Sequence, residues 1–452
     1  MIGMTSLSSR ARWSTAAAAA CVVGALLASP GAARANGGNS HTWISMHALE
    51  HLPEGNLKEL LSRPELRAML VNGSVYPDGG YVAGDRDYGE TAHWEPFVEA
   101  YIRWIQGEFD VPLNTGEAAE HVAFLMGMAS HGMADQVFDA TFMEGARVYD
   151  ADGWSDELLD SLDTATDVML VAETGVSYLD ILPWVPGDDL SALYRDAFGI
   201  DISPSQLDAN QELLHRFVLN YAVSTAMDPD DVQRYVDRYP WSAANLMDPT
   251  VAGGPPCEGE IAAAYWLAIW DRLHDVSGPQ NFVIATYPRD GSAGHPTDYT
   301  APESQVAIVF GSGFYEDQLI AAAEIRDSTG KVYELEKGTQ WGADESNLLW
   351  LRPTEDWAQD ETFTVTLAAG LDTIDGFTTT EPIVFTFSTT ATTEPADPTD
   401  DPTPHTGEPD VGELPPMAED GGCSAGRGGA GAAGAWLAAL GLLALRARRR
   451  RG

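Results

Sequence analysis

The chain predicts a multidomain protein, an all-α helical bundle followed by a β-sandwich. Three observations predict it. Residues 39–275 repeat their apolar positions with the 3.6-residue period of buried helices. At Ser277-Gly278-Pro279 the pattern switches to short strand-like runs separated by Gly, Asp and Pro turns. Both ends carry apolar stretches beside basic residues, the pattern of segments that direct export. With 452 residues, two or three domains and a full apolar core are expected.

In chain order, residues 1–35 hold Arg10, Arg12, an apolar run from Ala16 to Ala28 and the small-residue exit Ala33-Arg34-Ala35. That is a secretory signal peptide, cut before Asn36. Residues 36–277 form the helical part. Within it "YPDGGYVAGDRDYGET", Tyr76 to Thr91, reads as a long functional loop, and helices are predicted at 95–107, 117–143, 155–178, 187–197, 204–225, 229–238 and 258–274. Residues 278–390 contain "NFVIATYP", "QVAIVFG", "LIAAAEIRD", "KVYELEK", "NLLWLRP", "ETFTVTLAAG" and "IVFTFST". These runs at regular spacing are the pattern of a β-sandwich. Residues 391–421 are an acidic Pro/Thr-rich stalk, extended and disordered. In 422–452, Gly422-Cys423 precedes an apolar run from Gly429 to Leu445 and then Arg446, Arg448, Arg449, Arg450 and Arg451. Physically this is a stop-transfer helix with a positive inner flank.

Lys and Arg number 25 against 68 Asp and Glu, a formal charge of −43. Such a field repels nucleic acid and anionic membranes and favours cations and zwitterionic or neutral substrates. Solubility in a salty habitat is the equal alternative. Cys21 leaves with the signal peptide and Cys423 belongs to the tail, so Cys257, in the loop "GGPPCEGE", is a spare thiol. Stability therefore falls to core packing and metals.

The stretch "SHGMADQVFD" concentrates the chemistry. His131, Asp135 and Asp139 share one helical stripe, flanked by Phe124, Met128, Phe138 and Phe142. A buried carboxylate costs several kcal/mol unless a cation, metal or donor network compensates it. No Lys or Arg stands near in the sequence. A metal site and a hydrogen-bonded His131–Asp135 core pair are equal readings of this stretch alone. His41 follows Ser40, a plausible N-cap, and shares an inward stripe with Ile44, Ala48 and Leu52. His93 stands where the long loop gives way to a helix. His47 and His51 lie on a polar face that is solvated, and His121, His215, His274, His295 and His405 are assigned to surface or packing. Asp78 and the i, i+4 pair Asp163 and Asp167 complete the acids. Such a pair repels in solvent, or converges on a divalent cation.

Four segments, "SHTWISMHALEHL", "NGSVYPDGG", "AHWEPFVEAYIRWI" and "VAFLMGMASHGMAD", resemble the successive signatures of zinc-dependent phospholipase C domains, including the catalytic domain of the glycosylphosphatidylinositol-specific phospholipase D family. The resemblance covers about residues 36–275. It implies a phospholipase C/nuclease-like helical bundle with up to three zinc ions. By that likeness Asp78, His93 and His131 ligate one zinc, and His41 ligates another with the freed amine and carbonyl of Asn36. Asp135 bridges two ions, and Asp78 doubles as general base. At the remaining site the family's histidines and acid read Asp139, Asp163 and Asp167. That oxygen-rich set suits calcium, magnesium or manganese better than zinc, or stays empty. Residues 278–390 resemble bacterial Ig-like modules, and the tail resembles the MYXO-CTERM sorting tails of myxobacterial surface proteins, which are processed near the Cys.

The resemblance implies an exported or surface-tethered metal-dependent phosphodiester hydrolase for phospholipid or glycolipid substrates, with a membrane partner only through the tail. A catalytically impaired metal-binding surface protein is the alternative. A single-strand nuclease of the same fold is the third, and the net charge argues against it.

Overall fold

The computed structural model describes residues 36–151, 161–276, 278, 282–339 and 344–391. The expected signal peptide, the stalk beyond residue 391, the tail, and positions 155–160 of the helix expected over 155–178 lie outside the described residues. Among the described residues no helix is long and apolar enough to cross a membrane. The expected span Gly429–Leu445 is not among them.

The first half is helical. It comprises α1 (Gly38–His51), α2 (Asn56–Leu61), α3 (Arg67–Val75), α4 (Asp78–Ala83), α5 (Arg86–Ala92), α6 (Glu95–Glu108) and α7 (Gly116–Val137). A π-helical turn, Phe138–Phe142, joins α7 to α8 (Met143–Tyr149). Then come α9 (Leu162–Thr174), α10 (Gly187–Leu193), α11 (Pro204–Leu214), α12 (Asn220–Ala226), α13 (Pro229–Arg238), α14 (Pro240–Asn245) and α15 (Pro255–Leu273). Every residue of α7 from His121 to Val137 is buried. A helix enclosed on all sides needs neighbours all round, and α1, α3, α6 and α15 supply them.

Several expectations need correction. The stretch Tyr76 to Thr91 is no loop: it forms α4 and α5, joined at Gly84, whose φ of 82° makes the turn. Cys257 lies in the first turn of α15, buried, with Sγ 2.5 Å from the Tyr287 hydroxyl. Pro255 and Pro256 supply the preset φ that starts this helix, so the Pro pair that looks like loop chemistry is a helix start. Ser40 is not the N-cap of α1; Gly37 occupies that position.

The second half holds β1 (Val283–Tyr287), β2 (Val306–Tyr315), α16 (Glu316–Ala322), β3 (Ala323–Asp327), β4 (Leu335–Gly338), β5 (Glu345–Pro353), β6 (Thr362–Leu367) and β7 (Ile383–Ser388). "LIAAAEIRD" is thus half helix and half strand. The strands form antiparallel sheets in the orders β1-β2-β5-β4 and β3-β6-β7.

Side chains alternate across a strand, and β2 and β5 bury both faces. Ile308, Phe310, Leu349 and Leu351 meet Ile325, Phe363, Val365 and Phe387 of the other sheet. Val309 and Leu348 point the opposite way into the core of the helical half. That double burial explains why "QVAIVFG" is a continuous apolar run rather than an alternating one. At the same seam Arg272 of α15 reaches Glu95 (2.6 Å) and Glu99 (2.7 Å) of α6 and the Gly311 carbonyl of β2 (3.3 Å).

Candidate metal centre

Side chains from α1, α4, α7 and the end of α5 converge in the helical half. His131 and Asp135, one turn apart on α7, are 0% and 5% exposed. His41 comes from α1, His93 follows the last residue of α5, and Asp78 opens α4. The His41 and His131 rings stack, with centroids 3.6 Å apart. Asp135 lies 3.0 Å from His41 Nε2 and 3.4 Å from the Nε2 atoms of both His93 and His131. Asp78 lies 3.8 Å from each of the latter two nitrogens, and its side chain is 24% exposed, at the open side of the cluster.

Hydrogen bonds decide which ring nitrogens are free. His93 Nδ1 lies 2.6 Å from the Gly89 carbonyl, and His131 Nδ1 lies 2.8 Å from the Ser74 carbonyl. A carbonyl only accepts, so both Nδ1 atoms carry protons. In the neutral rings both Nε2 atoms are then bare lone pairs, and they face each other at 3.0 Å. Two lone pairs so placed repel unless a proton or a metal cation lies between them. Both Asp135 oxygens and both His41 nitrogens are buried without a hydrogen-bond partner. The 3.0 Å contact between His41 and Asp135 therefore lacks hydrogen-bond alignment, as expected of donors aimed at a common point.

Ligands 2.0–2.1 Å from a tetrahedral zinc sit about 3.3 Å from one another, close to the spacings here. Two groups, His41–Asp78–His131 and His93–His131–Asp135, each bring three ligating atoms within 4.8 Å of one another. These residues fit a divalent cation.

The electrostatics agree. Burial pushes Asp135 up, but the His41 and His131 rings outweigh it and hold its carboxyl well below the carboxylate range. Asp78 is likewise lowered, burial being offset first by His131. Burial and the neighbouring His41 ring lower His131. For His41 and His93 burial also lowers the ring, yet their carboxylate neighbours raise it further.

The other expected ligands are placed differently. Asp167 of α9 accepts from the Ser40 N–H at 2.7 Å, the Ser40 hydroxyl at 3.0 Å and the Asn39 amide at 3.0 Å. Its carboxylate caps the first turn of α1, where amides point outward with the positive end of the helix dipole. Asp167 thus positions the helix that carries His41. Asp139 lies in the π-helical turn and Asp163 in the first turn of α9. Among the described residues neither they nor Asp167 join a three-residue group of ligating atoms. The π turn changes the number of residues per turn just where the predicted stripe passes from Asp135 to Asp139. Asn36 is buried, with its side-chain amide 3.0 Å from both oxygens of Glu258.

Glu258 was not legible as a site residue. It is 1% exposed, and burial raises its carboxyl well above the usual range, with Asp135 and Asp139 adding to the shift. Reading Pro255-Pro256 as a helix start would have placed it in a first turn facing the core.

No family model matches the chain. Over 175 residues it is 32% identical to phosphatidylinositol-glycan-specific phospholipase D of Bos taurus, covering 36% of this chain and 20% of the relative. The Homo sapiens protein of the same name is 29% identical over 175 residues, with the same coverage. The chain therefore spans about a fifth of the length of the curated relatives it matches, and the homology is distant. Among solved structures, the S-layer protein rSbsC(31-844) aligns with 73% of this chain and 45% of its own at 10% identity. Its TM-score of 0.19 is below that of a shared fold.

Proposed function

We propose that this chain is a metal-dependent phosphodiester hydrolase, exported and held at the cell surface, that acts on phospholipid or glycosylphosphatidylinositol-like substrates. The observation that carries the proposal is the convergence of His93 and His131 Nε2, 3.0 Å apart beside buried Asp135, with both Nδ1 atoms engaged by backbone carbonyls. The phospholipase D relatives give the phosphodiester chemistry its direction. An imidazole-rich donor set favours zinc over calcium or magnesium. The helical half is read as a phospholipase C/nuclease-like bundle. The strand orders β1-β2-β5-β4 and β3-β6-β7 support reading residues 278–390 as Ig-like, since the constant-type immunoglobulin sandwich orders its strands in the same way. The charge of −43 favours neutral or zwitterionic head groups and disfavours nucleic acid.

Divalent cations bound at the cluster supply Lewis acidity toward the phosphodiester and ease deprotonation of water. His41, Asp78, His93, His131 and Asp135 would hold them. The backbone carbonyls of Ser74 and Gly89 keep the ligating nitrogens of His131 and His93 free. Asp78, the most exposed member, stays ionised and takes the proton of the attacking water. Asp167, which already accepts three hydrogen bonds from Ser40 and Asn39, favours a site with fewer than three metals. It is also the reason to keep an impaired, metal-binding surface protein as the second reading.

Elemental analysis of full-length protein purified without chelator, with turnover of fluorescent phospholipid and of a GPI-anchored protein, tests both. Chelator-reversible turnover that falls at least about 100-fold in Asp135→Asn is expected. Bound metal without turnover on either substrate gives the second reading. Absence of bound metal defeats both.

A further inference from the structure

His121, expected on a polar first turn, is 2% exposed. The Tyr101 hydroxyl contacts its Nδ1 at 2.7 Å, and the Trp104 and Phe109 rings lie 4.8 and 5.6 Å from its own. This leaves Nε2 facing Asp189. Asp189, in the first turn of α10, places Oδ2 at 3.4 Å. Glu117 sits one turn earlier on α7, and the three ligating atoms lie within 4.8 Å of one another. Among the described residues no lysine or arginine pairs with either carboxylate.

We propose that Glu117, His121 and Asp189 form a second divalent-cation site, distinct from the cluster around Asp135, which ties the start of α7 to the start of α10. It shares no residue with that cluster. Ten residues separate His121 from His131, about 15 Å along the same helix. The contact to Asp189 is too long for a good hydrogen bond to a ring N–H, so pairing of His121 with Asp189 does not account for the arrangement. Two carboxylates beside one uncharged imidazole repel, and a divalent cation turns the repulsion into attraction. With Nδ1 against the Tyr101 hydroxyl, the ring offers Nε2 as its ligating atom. One nitrogen and two carboxylates suit zinc or manganese. Glu117 is exposed and Asp189 half-exposed, so the ion reaches the site from solvent and keeps water in its remaining positions.

The test is zinc stoichiometry. Full-length protein is stripped with chelator, titrated with zinc and desalted, and bound zinc per chain is measured for the wild type and for E117Q/D189N. Both replaced side chains are at the surface, so the fold is kept, and H121Q serves as an independent second variant. The expected result is one fewer zinc equivalent in each variant, and a smaller zinc-dependent rise in melting temperature. Turnover on phospholipid is unchanged in E117Q/D189N, because neither residue belongs to the cluster around Asp135. Equal zinc content and an equal rise in melting temperature in wild type and both variants would overturn the proposal.

Discussion

Buried imidazoles in this chain divide by what faces their second nitrogen. His295 places Nε2 3.0 Å from the Ser304 carbonyl, and His215 places its own 3.1 Å from Asn72 Oδ1. Neither has a carboxylate beside it, and burial pushes both rings down to about 4. The folded chain therefore refuses a proton that the unfolded chain accepts near the ordinary histidine value of about 6.5. Stability is complete above that value and drains away as pH falls toward 4, by about 3 kcal/mol for each ring. Urea midpoints measured from pH 7 to 4.5 should fall, and His295→Gln should flatten part of the slope. An identical slope in the variant would show that His295 does not titrate this way. The helical stripe made His41, His131 and Asp135 legible. Glu258 and His121 were not, because what buries them comes from elsewhere: Asn36 lies 222 residues from Glu258 in the sequence, and Tyr101 approaches from a different helix.

Whole elements are held in place by close backbone approach as much as by side chains. A Cβ on Gly132 would sit 2.1 Å from the His93 carbonyl oxygen, so α7 and the end of α5 touch there with nothing between them. Gly132→Ala must shift either the backbone at His93 or α7 itself, and either movement disturbs the spacing of His93 and His131. A loss of about 1–3 kcal/mol in stability is expected, with faster zinc loss to a competing chelator than in wild type. Unchanged chelator kinetics would mean that His93 does not hold the metal. The same device hid α4 and α5. A Cβ on Gly80 would come within 2.7 Å of Gly89 Cα, so the two short helices meet glycine to glycine. Read locally, Gly and Asp at this density argue for a loop. Packing overrides that preference, since short helices owe their stability to tertiary contact. The run Leu319 to Ala322 erred the other way: its apolar residues suit either element, and it closes α16 before β3 begins.

Across the molecule, the switch of period near residue 278 falls between α15, which ends at Leu273, and β1, which begins at Val283, but it carried no sign of how closely the two halves join. Arg272 is the clearest tie, buried between Glu95 and Glu99, with Tyr265 donating to Glu95. Arg272→Met strands two buried carboxylates and should cost about 3–5 kcal/mol. Thermal denaturation should show a drop that is largely recovered when Glu95→Gln and Glu99→Gln are added; no recovery would mean that the loss is one of packing and not of charge. Val309 and Leu348 carry the remaining consequence. A strand module flexibly strung behind a helical domain would keep its outer face wet, whereas here that face serves as the floor of the helical half. Removing the sheets would expose to water the apolar underside of the helices that Val309 and Leu348 now cover, so the helical half alone is expected to be less stable and less soluble than the two halves together.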